Sequence, residues 1–464
     1  MFSPDTYKKR RDALRKLLSG GIVFFPGNVD VPFNYPANIY TFRQDSTFLY
    51  YFGIQEPGLA AVMDLDDDAD YLFGNDSTIS DIIWVGKQPS MEEKAASVMV
   101  SHVQPYCSLA SVLQNAQKQG RAIHFLPPYR SETKIHMWEM LGILPSEQNV
   151  KASEELIKAV VKMRMVKEPQ EIEQLEAAIN TAWFMHVYAM KFARPGMVEM
   201  ELSGAIEGIA GIKDATVSFP IILTVNGQIL HNHYHGNTMR EGQLMLVDAG
   251  CEHAMRYTAD ISRTTPVAKS FDERQKDIYE TVLRANMKGI EMSKPGVYYR
   301  DVHLAASRVL ADGLKDAGIM RGNMEDAVAQ GAHALFFPHG FGHALGLDAH
   351  DMENLGEKYV GYDETIARST EFGLSSLRFG RKLETNFVVT AEPGIYFIPA
   401  LIDQWEAEKK HAQFINYDVV NKYRDFGGIR IEDDILITKN GCRVLGEPIP
   451  KTVEEIENLR KMDK

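Results

Sequence analysis

Three histidines and two carboxylates are packed among glycines in His339-Gly340-Phe341-Gly342-His343-Ala344-Leu345-Gly346-Leu347-Asp348-Ala349-His350-Asp351. A helical H-x-x-x-H zinc site is disfavoured here, because Gly340, Gly342 and Gly346 would each cost about 1 kcal/mol in a helix. The stretch therefore reads as extended chain. Alternation would then put Phe341 on the side of His339 and His343, with both imidazoles facing one cavity.

Four acids sit in settings that match such a cavity. Asp248 follows the apolar run Leu244-Met245-Leu246-Val247, and Asp260 follows Tyr257-Thr258-Ala259. A tight turn around 252–254 would fold the second segment back on the first and bring both carboxylates to one face. Glu392 lies in Val388-Val389-Thr390-Ala391-Glu392-Pro393-Gly394, and Glu432 in Gly428-Ile429-Arg430-Ile431-Glu432-Asp433-Asp434. Period two sets Arg430, Glu432 and Asp434 on one side of their strand. Taken singly, each acid reads as a surface residue or one half of an ion pair. Together in apolar strands they need a cation, since a bare buried carboxylate is expensive. Oxygen-rich ligation with one imidazole suits Mn²⁺, Co²⁺, Fe²⁺ or Zn²⁺, and two acids able to bridge suggest two ions that activate water and polarise a carbonyl.

The rest of the chain bounds the classes open to it. At 464 residues it is long for one core, and two domains are expected. Lys+Arg 50 against Asp+Glu 63 leaves a net charge of −13, which disfavours a nucleic-acid partner. The three cysteines, Cys107, Cys251 and Cys442, form no C-x-x-C pair, so neither a disulfide framework nor a thiolate zinc site is suggested. No apolar run approaches the roughly 20 residues that span a membrane. A cytoplasmic protein is the expectation.

Several elements must position the acids. Helices are predicted over 4–18, 110–118, 132–144, 152–166, 170–192, 273–292 and 299–317, and strands over 22–25, 59–63, 71–73, 218–225, 243–247, 256–261, 386–397 and 428–438. The segment 82–86 reads with the strands, and its Trp84 as core. An α/β domain over 1–165, an α+β domain over 166–452 and a charged helical tail over 453–464 follow.

Asp248, Asp260, His343, Glu392 and Glu432, in that order and those contexts, resemble the ligand set of the pita-bread metallopeptidases over most of the chain. Phe42-Arg43-Gln44-Asp45-Ser46 and Glu56-Pro57 resemble the extra N-terminal domain of aminopeptidase P and prolidase. The resemblance implies an α/β N-terminal domain and an α+β pita-bread (creatinase/aminopeptidase-like) catalytic domain. It implies that Asp248 chelates one divalent ion, that His343 and Glu392 bind the other, and that Asp260 and Glu432 bridge them, with Mn²⁺ preferred over Co²⁺, Fe²⁺ and Zn²⁺. Glu392 would also accept the proton of the attacking water, and His350 would stabilise the oxyanion, with His339 beside the substrate. His231 best matches the remaining active-site histidine, with His233 left open as a second substrate-side candidate. Trp84 resembles a tryptophan that reaches a neighbouring subunit's site, implying a homodimer or homotetramer. Arg378 resembles the arginine that holds a dipeptide's free carboxylate in prolidases, with an ion pair to Glu371 as the alternative, and Arg430 is a further substrate-side candidate. The implied activity is hydrolysis of Xaa-Pro bonds at the N-termini of short proline-containing peptides, dipeptides slightly favoured, with aminopeptidase P action on longer peptides as the alternative. A metal-free peptide-binding module is the remaining reading.

Overall fold

The computed structural model describes residues 1–462, so the end of the 453–464 segment lies outside the described residues. The chain divides into two compact units, one of Met1–Arg164 with Asn354–Tyr359, the other of Met165–Glu353 with the chain from Val360 onward.

In the first unit, β1 (Ile22–Pro26), β2 (Ala60–Asp64), β3 (Ala69–Gly74), β4 (His102–Pro105) and β5 (Ile123–His124) form one sheet in the order β4-β3-β2-β1-β5. β1–β2 and β2–β3 are antiparallel, while β3–β4 and β1–β5 are parallel. Phe24, Val62 and Phe73 meet Leu109 and Leu113 of the helix Leu109–Lys118 and Met137 of Ser131–Leu141. Each such side chain contributes about 1.5–3 kcal/mol on burial, so this layer holds the unit together. The 82–86 segment is not a strand: it ends the helix Ile79–Val85, started by a capping box between Thr78 and Asp81. That helix buries none of its residues, and Trp84 is 82% exposed rather than core.

In the second unit, the helices Pro169–Phe192, Glu199–Ile212, Glu273–Met292 and Tyr299–Asp316 pack as two pairs against small antiparallel sheets. Glu273–Met292 starts at an Asp272 cap and buries Ile278, Val282, Ala285, Asn286 and Gly289, a stripe at helical spacing that faces the sheets. Asn286 Nδ2 donates to the Ala391 carbonyl at 2.9 Å, tying the helix to the strand before Glu392. Gly289 is there because a Cβ would collide with the Phe341 ring.

The strands are β6 (Thr216–Val217), β7 (Ile222–Thr224), β8 (Leu244–Ala249), β9 (Cys251–Glu252), β10 (Ile261–Pro266), β11 (Val388–Ala391), β12 (Gly394–Tyr396), β13 (Gly428–Arg430), β14 (Asp433–Ile437) and β15 (Cys442–Val444). They make sheets β10-β8-β7 and β11-β14-β15 and the pairs β12-β13 and β6-β9. The hairpin between Asp248 and Asp260 forms, with Ser262 opposite Asp248, but its tip lies at His253–Arg256, and the second strand begins at Ile261 rather than at 256. Arg256 has φ 63°, a conformation incompatible with a strand. The region 218–225 is strand only over Ile222–Thr224.

Two predicted strands are broken at their acids. The 386–397 run divides into β11 and β12 at Glu392-Pro393, and the 428–438 run into β13 and β14 at Ile431-Glu432, each half pairing in a different sheet. Pro393 has no N–H to continue a ladder. The breaks take Glu392 and Glu432 out of regular pairing. The helix Val453–Lys461 is no free tail: Ile456 is buried, and the Arg460 guanidinium donates to the carbonyls of Ala193, Val267 and Ala268.

Candidate metal centre

The segment 341–345 runs antiparallel beside β11, with Glu392 N–H donating to Phe341 O, Thr390 N–H to His343 O and Leu345 N–H to Val388 O. The extended reading therefore holds over 341–345, while 346–352 bends and turns, and Gly342 passes so close to the Thr390 carbonyl that a Cβ would collide with it. Phe341 departs from its expected place: its ring enters the interior against Tyr299, 5.7 Å between centroids, instead of facing the cavity with the histidines. The register is set by β11, and the sequence alone could not supply that partner.

These strands and loops enclose a cavity of about 430 Å³ lined wholly from the second unit. His231, His233, Asp248, Asp260, His339, His343, His350, Arg378, Glu392, Arg430 and Glu432 all line it. Trp84 belongs to the first unit and is not among them.

Asp260, His343 and Glu432, all buried, bring one ligand atom each within 4.8 Å of the others. His343 Nε2 stands 3.5 Å from Asp260 Oδ2 and 3.5 Å from Glu392 Oε1. Its Nδ1 lies 3.1 Å from the Ala344 carbonyl, a geometry that puts the proton on Nδ1 and leaves the Nε2 lone pair facing the acids. Asp248 Oδ2 accepts from Arg430 Nη2 at 2.6 Å, while its buried Oδ1 has no hydrogen-bond partner among the described residues. Four carboxylates, one imidazole lone pair and an orphaned carboxylate oxygen fit divalent ions, and they fit nothing else in the cavity so well.

The electrostatics agree with the geometry. Burial, then the neighbouring acids, drives Asp260 and Glu432 well above the usual carboxylate range. Burial raises Glu392 to about 7 against the pull of Arg430 and His350. Burial also lowers His343 and His339 to about 3, and lowers His231, where the Arg430 charge adds to the effect. Acids raised by burial and an imidazole held neutral make a site whose charges ask for cations.

The surrounding groups fix these side chains. Ser262 Oγ donates to Glu432 Oε2 at 2.8 Å and accepts from Arg430 Nε at 2.8 Å. Tyr396 Oη accepts from Arg430 Nη1 at 2.9 Å and lies 2.9 Å from His339 Nε2. Arg430 therefore organises the acids, and it also lines the cavity where a substrate contact is expected of it. Arg378 pairs with Glu353 at 2.8 Å rather than with Glu371. The same Glu353 meets His350 Nδ1 at 2.9 Å, and the His350 ring stacks on His343 at 3.8 Å. Sequence reasoning missed Ser262, Tyr396 and Glu353. Their signals were slight: Ser262 stands opposite Asp248 in the hairpin, and Glu353 follows His350 by one helical turn.

Comparison with known proteins gives the centre its class. The chain belongs to metallopeptidase family M24, whose model matches residues 173–439, and residues 7–124 match the aminopeptidase P N-terminal domain. It is a metallopeptidase, with the two-domain pita-bread architecture, and the family implies divalent metal ions. The chain is 34% identical over 425 residues to the Xaa-Pro dipeptidase of Homo sapiens, covering 90% of this chain and 84% of that one. It is 30% identical over 476 residues to the Xaa-Pro aminopeptidase of Escherichia coli (strain K12), covering 98% of both. Its structure is similar to a variant of Escherichia coli aminopeptidase P in complex with substrate, with TM-score 0.81, 29% identity and coverage of 99% and 98%. It is also similar to the Pseudomonas aeruginosa aminopeptidase PepP, with TM-score 0.81 and 26% identity over 99% and 98% of the two chains.

Proposed function

We propose that the protein is a two-metal exopeptidase that hydrolyses the Xaa-Pro bond at the N-terminus of short peptides. The buried group of Asp260, His343 and Glu432 beside Asp248 and Glu392 carries this reading. Asp248 would hold one ion, His343 and Glu392 the other, and Asp260 and Glu432 both, with Mn²⁺ the preferred metal. When bound, the ions supply Lewis acidity and lower the pKa of water held at the site.

The remaining chemistry belongs to the chain. Glu392, between His343 Nε2 and His339 Nδ1 at 3.5 and 3.6 Å, takes the proton of the attacking water and passes it to the leaving nitrogen. That proton is needed because the nitrogen must leave as a neutral amine and not as an amide anion. His350, oriented by Glu353, donates to the oxyanion. His231 and His233 line the approach, and Phe219, Pro220, Ile222 and Leu230 form an apolar wall for the proline ring.

Dipeptides are slightly favoured in this reading, supported by the human Xaa-Pro dipeptidase relative and by Arg378 at the cavity. A fork of parallel N–H donors suits a free carboxylate. Action on longer peptides is the second reading, favoured by the Glu353 carboxylate already on Arg378. Among the described residues no helix is long and apolar enough to cross a membrane, in keeping with a cytoplasmic enzyme. The exposed Ile79, Ile83 and Trp84 support a homodimer or homotetramer.

The test is to assay the Mn²⁺-loaded protein on Ala-Pro and Ala-Pro-Ala, with Asp260→Ala as control. Cleavage of either substrate, lost in the variant, is expected. Silence on both with metal bound would overturn the substrate class.

A further inference from the structure

Two groups that face the cavity share one carboxylate that does not. Arg378 and His350 both line the cavity, while Glu353 is not among its lining residues. Glu353 accepts from Arg378 Nη1 through Oε2 at 2.8 Å and meets His350 Nδ1 through Oε1 at 2.9 Å. Its side chain is 16% exposed, against 42% for Arg378 and 41% for His350, so the acid sits behind its partners. Burial works against the ionised form, but the hydrogen bond and charge of His350, with Arg378 behind them, hold the carboxyl below its ordinary value.

We infer that Glu353 is a specificity-determining and positioning residue, one that sets how strongly the enzyme prefers a free carboxylate after proline while it holds His350 in place. The inference rests on the roles proposed above for Arg378 and His350. An Xaa-Pro dipeptide presents its carboxylate to Arg378. There it meets a guanidinium whose charge is already offset by Glu353, and it meets Glu353 as a like charge behind the arginine. A longer peptide presents a neutral amide at the same point and escapes that repulsion. The second oxygen orients the imidazole, so one side chain links recognition of the substrate's end to the histidine at the reacting carbonyl. A shorter acid can keep the charge and cannot span both partners.

The experiment compares the Mn²⁺-loaded wild type with Glu353→Gln and Glu353→Asp on Ala-Pro, Ala-Pro-amide and Ala-Pro-Ala. Ala-Pro and its amide differ by one charge at the point where Arg378 acts. Glu353→Gln is expected to lower KM for Ala-Pro relative to Ala-Pro-amide by roughly tenfold, and to lower kcat on all three substrates. Glu353→Asp is expected to keep the wild-type ratio of KM values while still losing kcat, which separates charge from reach. An unchanged ratio in Glu353→Gln, or equal changes in both variants, would overturn the inference while leaving the Xaa-Pro activity standing. Should Glu353→Gln fail to fold, a shifted ratio in Glu353→Asp would overturn it alone. A wild type that cuts none of the three substrates would instead remove the reading on which it rests.

Discussion

The two units bury charge in opposite ways. In the first, Arg11 has no exposed side-chain surface, yet its Nε donates to Asp70 at 2.7 Å and its Nη atoms to the carbonyls of Tyr51, Val98 and Met99 at 2.8–2.9 Å. In the second, Asp260 and Glu432 are also buried, and Arg430, the cation that pulls on both, is shared with Asp248 and Glu392. The difference does not reflect a shortage of basic residues in that unit. Asp433, the next residue after Glu432, is met by Arg263 at 2.7 Å and Lys451 at 2.6 Å, which hold its carboxyl at about 2 despite burial. A fold able to neutralise a buried acid on the back of a strand leaves those on the cavity side short of positive charge. An arrangement so costly by itself marks the place for a cation.

The contrast breaks most visibly at Glu392. Glu392→Gln should lower kcat by about 10²–10⁴-fold through loss of the proton acceptor. The metal-free variant should melt no lower than metal-free wild type, because an acid already pushed toward its neutral form gives up little on becoming an amide. Steady-state kinetics and thermal melts check the two halves. In the first unit the order reverses: Arg11→Met should cost about 3 kcal/mol of stability by leaving three carbonyls without their donor, with Asp70 keeping Arg15 as partner, measured by urea unfolding, with kcat of the folded fraction unchanged.

A gentler probe is pH. Carboxyls raised by burial, Glu392 to about 7 and Asp260 and Glu432 well above the usual carboxylate range, compete for protons that an arriving cation must displace. His343, lowered to about 3, is neutral throughout and does not compete. Metal affinity should therefore rise from pH 6 to 7 by roughly tenfold for each proton displaced, with proton release visible in calorimetry across buffers of different ionisation enthalpy. The sign for the metal-free protein is the opposite. The raised Glu392 contributes stability below the unfolded carboxyl's pKa of about 4.3, and that contribution is lost as pH climbs through about 7. Affinity that stays flat over this range would show that the acids are already ionised, and the contrast between the units would lose its basis.

Much of the frame was legible in the chain. The helix Glu273–Met292 declares itself through its Asp272 cap and its apolar stripe, both local features. The hairpin that brings Asp248 and Asp260 to one face follows from alternation and a turn, and only its tip and the start of its second strand were misplaced. The breaks at Glu392 and Glu432 were hidden, because continuous apolar runs look the same whether one sheet or two receive them. Trp84 misled for a related reason. Its apolar character is local, while its exposure depends on what the helix Ile79–Val85 packs against.

By itself, then, the sequence determined which residue types make the centre, their order, and that the acids would stand in apolar surroundings where cations would be needed to satisfy them. Only the tertiary structure decided the partnerships: Arg430 on Asp248, Ser262 on Glu432, Tyr396 between Arg430 and His339, and Glu353 shared by Arg378 and His350. Periodicity acts over a few neighbouring residues and says which face a side chain takes. A hydrogen bond between residues far apart in the chain needs two segments brought within about 3 Å, and that comes from register and packing, which no single segment encodes.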